Sequence, residues 1–229
     1  MAEGDPQARD PLDELGPLPG GHHGLSREQI LDSQRERLLA AIAHEVAAHG
    51  YRATTITGIV KTASVSTRDF YEHFEGKEDC FLAAFEAVRD HVQELVNAAV
   101  AEEPEWPRQV VAALRTVLNF FAAHPDLAQL CISESVSATP SIAVRFRVAI
   151  LSCAPALARG RTATPAGKSL PLSTEDSLLG GIISLTTRSI LTGETEELPA
   201  LLPDLVEFTL SPYLGAEPAA ELASASRSS

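Results

Sequence analysis

Apolar residues recur at spacings of three and four along most of this chain, and few runs alternate with period two. That pattern predicts amphipathic helices in an all-α fold of about nine helices. A capping box, Ser26 with Gln29, and a hydrophobic staple, Leu25 with Ile30, mark where order begins. A second box, Ser33 with Glu36, predicts the start of the first long helix, which buries Leu39, Ile42 and Val46 and ends at Gly50. Thr55 caps a second helix with Ile56, Ile59, Val60 and Ala63 inward, and Ser66 caps a third that runs through Phe74 to a break at Gly76. A fourth helix spans 77–102 and buries Phe81, Phe85, Val88, Val92, Leu95 and Val96; Pro104 and Pro107 separate it from the next.

Five further helices are predicted at 107–123, 125–137, 140–158, 174–192 and 196–213. His124-Pro125 divides the first two, and Ser173 with Asp176 caps the fourth. Gly160, Pro165, Gly167 and Pro171 mark 159–173 as a mobile loop. Residues 1–24 are rich in Pro, Gly and acid and read as a disordered arm, and 216–229 read as a disordered tail. The expected domains are therefore 25–78 and 79–215.

The segment with chemical content lies between Gly50 and Lys77. Two short helices flank the small-residue turn Ala63-Ser64-Val65-Ser66, and the second lifts Thr67, Arg68, Tyr71, His73 and Lys77 outward. That is the layout of a helix-turn-helix whose second helix enters a groove of duplex DNA. Arg68, on the first turn, suits a bidentate contact to guanine, and Thr67 a thymine methyl or a phosphate. Tyr71 and His73 suit phosphate oxygens; Lys77 opens the fourth helix, where its charge and nearby N–H groups suit another. Thr55 is placed to reach the backbone on the other side. Asp69, three residues after Ser66, is read as the second half of a capping box.

The net charge of −13 excludes a histone-like coating protein, because non-specific affinity for phosphates comes from Lys and Arg. It leaves room for a regulator that presents a few cations locally. Cys80, Cys131 and Cys153 are scattered, which fits a reducing, cytoplasmic setting. The longest apolar runs, near Leu178–Leu185, fall short of the ~20 residues needed to cross a bilayer. His44 and His49 imitate a zinc-protease motif, but five residues of separation put them ~140° apart on a helix, so no metal site, cofactor or enzyme is expected.

Gly50-Tyr51, Thr54-Thr55, the helix Ile56 to Ala63, the turn Ser64-Val65-Ser66, and Tyr71-Glu72-His73-Phe74 with Lys77 closely resemble the DNA-binding domain of the tetracycline-repressor (TetR) family. The departures are Ser64 where glycine is usual and Val60 where alanine is usual. The resemblance implies a homodimer formed through the last two helices, here those carrying Leu178, Leu179, Ile182, Ile183 and Leu185, and Leu198, Leu201, Leu202, Leu205 and Val206. It also implies a small-molecule effector enclosed by the middle helices. Candidate lining residues are Trp106, Phe120, Phe121, Leu130, Cys131, Glu134, Phe146, Ile150 and Cys153, each of which packs equally well as plain core. Glu134 needs a partner on its apolar face, either a ligand or Arg145 or Arg147. The expected function is a repressor released from a palindromic operator by a small molecule. A thiol-responsive regulator and a small-molecule binding module without an operator are the alternatives.

Overall fold

A computed structural model describes residues 27–227, and among these no strand is present. Leu25 and Ser26, half of the first capping box and staple, lie outside them. Helix α1 runs from Arg27 to Ala53. It passes through Ser33 without a break, so the box at Ser33 does not start it: Ser33 stands within a continuous helix. Gly50 interrupts the regular backbone (φ 76, ψ 157), and one more turn follows.

Helices α2 (Ile56–Ala63) and α3 (Thr67–His73) complete a three-helix head with α1. Leu38, Ile42, Ile59 and Phe70 are fully buried at its centre. Gly58 lets α2 approach α1, since a Cβ there would sit 2.6 Å from a Glu45 carboxylate oxygen. That carboxylate accepts a hydrogen bond from Thr62 at 2.6 Å.

Helix α4 (Lys77–Ala101) leads from the head into the core, and α5 (Trp106–Ala123) folds back against it. The segment predicted as one helix over 125–137 is α6 (Pro125–Ala128), then a π-helical turn (Gln129–Ser133), then a 3-10 turn (Glu134–Val136). The predicted helix 140–158 is α7 (Pro140–Leu151) and α8 (Ala154–Ala158), with Pro155 in the first turn of α8. Residues 140–163 include an 18-residue window with the composition of a membrane-crossing stretch, with mean hydropathy 1.5. They are nonetheless divided among short helices and carry Arg145, Arg147, Arg159 and Arg161.

Two expectations are corrected. The loop 159–173 is ordered by helix α9 (Gly160–Ala163), a 3-10 turn (Ala166–Ser169) and a buried polar triad. Arg161 donates to both Glu175 oxygens (2.8 and 2.7 Å) and to the carbonyls of Leu170 and Pro171, and Tyr213 donates to Glu175 at 2.8 Å. The tail is not disordered, because helix α12 (Ala216–Ser226) buries Ala219, Ala223 and Ser226 and packs on α11 (Leu202–Leu214). Alanine has high helix propensity but adds little hydrophobic contrast, so the stripe was hard to see in sequence.

Helix α10 covers Thr174–Leu191, yet Ser173 makes no side-chain cap there. Pro203 lies in the first turn of α11 after a 3-10 turn over Thr195–Leu201, which is the late start its ring demands. Gly181 lets Phe208 of α11 lie across α10, as a Cβ would meet its ring at 2.6 Å.

Candidate nucleic-acid interface

The local chain sets the recognition helix through three caps. Thr55 accepts from the Gly58 N–H at 3.1 Å and starts α2. Ser64 closes α2 in the left-handed region (φ 53, ψ 44), the one non-glycine residue with positive φ among those described. Arg37 of α1 secures that turn, donating to the carbonyls of Ala63 (3.1 Å) and Ser64 (3.4 Å). Sequence reasoning missed this role, because Arg37 sits 26 residues from Ala63 on a different helix. Ser66 then accepts from the Asp69 N–H at 3.1 Å and starts α3.

Phe70 and Phe74 anchor α3 on the head, leaving its other face in solvent. Thr67, Arg68 and Tyr71 are exposed. Arg68 leans on Glu72 at 3.3 Å, with its side chain 87% exposed. An exposed ion pair of this kind is worth at most about 1 kcal/mol, so it competes weakly with a nucleobase or phosphate. The hydroxyls of Thr55 and Ser66 serve the caps as acceptors, which leaves each O–H able to donate.

Two expected phosphate contacts are corrected. His73 turns toward α1, its Nε2 standing 3.4 Å from the Gln34 side-chain oxygen. Lys77 points into the head: its Nζ donates to the carbonyls of Tyr51 (2.7 Å) and Thr54 (2.8 Å) and lies 4.3 Å from the Tyr51 ring centre. Desolvation lowers its pKa.

The candidate effector residues divide. Trp106 is buried, donates to the Ala156 carbonyl at 2.9 Å and meets Tyr213 edge-on at 5.0 Å. Phe120, Phe121, Leu130 and Cys131 are buried, Phe146 and Ile150 are half-buried, and Cys153 is exposed. Phe146 faces Phe85 across 6.4 Å. Glu134 finds a partner that sequence reasoning did not weigh, the backbone N–H of Tyr51 at 2.9 Å. Arg145 pairs with Glu86 at 3.1 Å instead. Two clefts of about 350 and 420 Å³ open elsewhere, one beside Arg35 and His73 and one beside Arg115 and Asn119.

Burial pushes the Cys80 thiol up to about 12 and raises that of Cys131 as well. A thiol sensor needs the opposite, a stabilised thiolate. Among the described residues no group of three or more His, Cys, Asp or Glu converges to hold a metal.

Comparison with known proteins bears on this geometry. Residues 38–84 match the family described as "Bacterial regulatory proteins, tetR family". The chain is 24% identical over 139 residues to the HTH-type transcriptional activator FasR of Mycolicibacterium smegmatis, covering 61% of this chain and 64% of that protein. Matches to curated relatives span from 51% to 64% of those proteins' length. The fold is shared with the fatty acid degradation regulator FadR from Bacillus halodurans (TM-score 0.68, 16% identity, 79% of this chain and 94% of that one). It is also shared with FadR from Bacillus subtilis in complex with stearoyl-CoA (TM-score 0.66, 18% identity, 78% and 97%).

Proposed function

The chain belongs to the tetR family of bacterial regulatory proteins, and we propose that it is a cytoplasmic, dimeric repressor that leaves a palindromic operator when an acyl-chain effector binds its core. The observation that carries the reading is the face of α3: Thr67, Arg68 and Tyr71 stand in solvent on a helix held rigidly by Phe70, Phe74 and two side-chain caps. Such a face reads base edges in a major groove ~12 Å wide. Thr55 and Ser66 donate to phosphates from the helix N-termini.

Two copies present two such helices. Gly180 and Ser184 of α10 are exposed, and Phe208 of α11, packed on Gly181 of the same helix α10, is 43% exposed, so these helices can pack closely against their own copy. The paired heads then sit about one DNA turn apart, ~34–36 Å. Two structural relatives support an acyl effector, since one FadR is a fatty acid degradation regulator and the other holds stearoyl-CoA. The middle helices supply an apolar surround of Phe, Leu and Ile, with Phe146 and Ile150 only half-buried. Binding there tilts α4 and changes the distance between heads.

Selection of bound duplexes from a random pool by the purified protein tests the DNA half: a recovered palindrome is expected, and recovery of unrelated sequences refutes it. Stearoyl-CoA then tests the effector half by its effect on operator Kd. A lowered affinity is expected, whereas an unchanged or raised one refutes release by this ligand.

A further inference from the structure

We propose that the single turn Tyr51–Thr54 is a relay through which the helical core sets the angle of the recognition head, with Glu134 and Lys77 holding its two ends. The inference rests on the operator reading above and adds a second route beside the tilt of α4.

Gly50 ends the regular part of α1 at positive φ, and the chain then makes one isolated turn. Both the N–H and the hydroxyl of Thr54 close it on the Gly50 carbonyl, at 3.1 and 2.9 Å. A lone turn leaves an N–H at its start and carbonyls at its end without internal partners. Here each end is served from the core side. The Tyr51 N–H goes to the Glu134 carboxylate at 2.9 Å. The carbonyls of Tyr51 and Thr54 go to the Lys77 ammonium at 2.7 and 2.8 Å. Negative charge at the N-terminal end and positive charge at the C-terminal end follow the dipole of the turn. The ring of Tyr51 is wedged against Phe81 at 5.2 Å. Thr54 is followed at once by Thr55, the cap of α2, so the direction of this turn is the direction in which the helix-turn-helix begins.

Glu134 is poised to transmit a displacement. It stands where the π-helical turn Gln129–Ser133 passes into the 3-10 turn Glu134–Val136. Such departures from the α-helix mark hinges and functional sites. Leu130, Cys131 and Ile132 beneath it are buried in the core. A ligand that shifts these residues shifts the carboxylate, and the Tyr51 N–H with it. Lys77 is the first residue of α4, so both routes from the core meet at Tyr51. Glu134 is thus a positioning residue for the DNA head.

One arm of the test needs no effector. Hydrogen exchange of residues 129–136 is followed in the full-length protein as the selected operator duplex is added. Exchange there is expected to change in the wild type and in Glu134→Gln, whose amide oxygen still accepts the Tyr51 N–H, and to stay unchanged in Glu134→Ala. The same change in all three proteins, or in none, overturns the relay. Glu134→Asp, which draws the carboxylate back by one methylene, gives the Ala readout if the alanine variant does not fold.

In the second arm stearoyl-CoA is the probe. Its effect on operator Kd is expected to shrink about tenfold in Glu134→Ala, while the variant still binds stearoyl-CoA, measured directly in the absence of DNA. A full effector response in that variant overturns the relay. A wild type that binds operator but ignores stearoyl-CoA refutes the acyl-effector reading instead, and the first arm still decides the relay.

Discussion

The recognition head and the far end of the core handle polar side chains in opposite ways. On α3, Thr67, Arg68 and Tyr71 stand in water, and Arg68 has only an exposed carboxylate beside it. At the other end Arg161, Glu175 and Tyr213 are joined by hydrogen bonds of 2.7–2.8 Å, with Glu175 5% exposed. Buried charges without partners are costly, so the second group is fixed by complete pairing and has no capacity left for a ligand. The first group is free to exchange water for DNA. A polar residue in this fold therefore holds the structure or meets a partner according to whether its hydrogen bonds are already made.

Removing one member of the triad is the severest way to break that contrast. Glu175→Ala deprives the Arg161 guanidinium and the buried Tyr213 hydroxyl of their shared acceptor and should lower the urea unfolding midpoint clearly. Operator affinity measured well below the melting temperature should not change. An unchanged midpoint would show that the triad is no more than a surface pair.

The same group gives a pH signature. Hydrogen bonds from the Arg161 guanidinium hold the Glu175 carboxyl below its ordinary 4.5. A carboxylate with a depressed folded value contributes stability above its unfolded value and loses it as pH falls through the folded one. Wild-type stability should therefore decline below about pH 4.5, and Glu175→Gln should flatten that decline. Parallel pH curves for the two proteins would contradict the assignment.

In the head the effect moves from folding to binding. Arg68→Ala should weaken operator binding by about 1–3 kcal/mol and relax base preference at one position of each half-site, with melting unchanged. A uniform loss on all sequences would reassign Arg68 to a phosphate. The smallest effect is at the turn. Ser64→Gly removes a left-handed non-glycine residue and should stabilise the protein by about 1 kcal/mol, visible as a higher denaturant midpoint. A lower midpoint would mean that the serine side chain makes a contact outweighing its backbone strain.

The head was legible because its signals are local. Thr55 and Ser66 accept from residues three positions ahead, so capping follows from short-range spacing. Helical periodicity likewise placed Ile59, Val60, Ala63 and Phe70 inward, where they lie. Lys77 was misread because its amine reaches carbonyls 23 and 26 residues back in the chain. Glycines and prolines made 159–173 look like a loop, yet Gly167 is buried there and packs so closely that a Cβ would meet the Gly160 carbonyl oxygen at 2.3 Å.

The sequence alone determined the all-helical class, the helix-turn-helix and the outward residues of α3, since these depend on caps and periodicity within a few residues. Only the tertiary structure decided where the ionisable groups of the interior find partners: Glu134 at Tyr51, 83 residues away, and Glu175 at Tyr213, 38 away. The physical reason is that a buried charge must be paired, but which pairing satisfies it depends on how the helices cross, and spacing along the chain does not encode that.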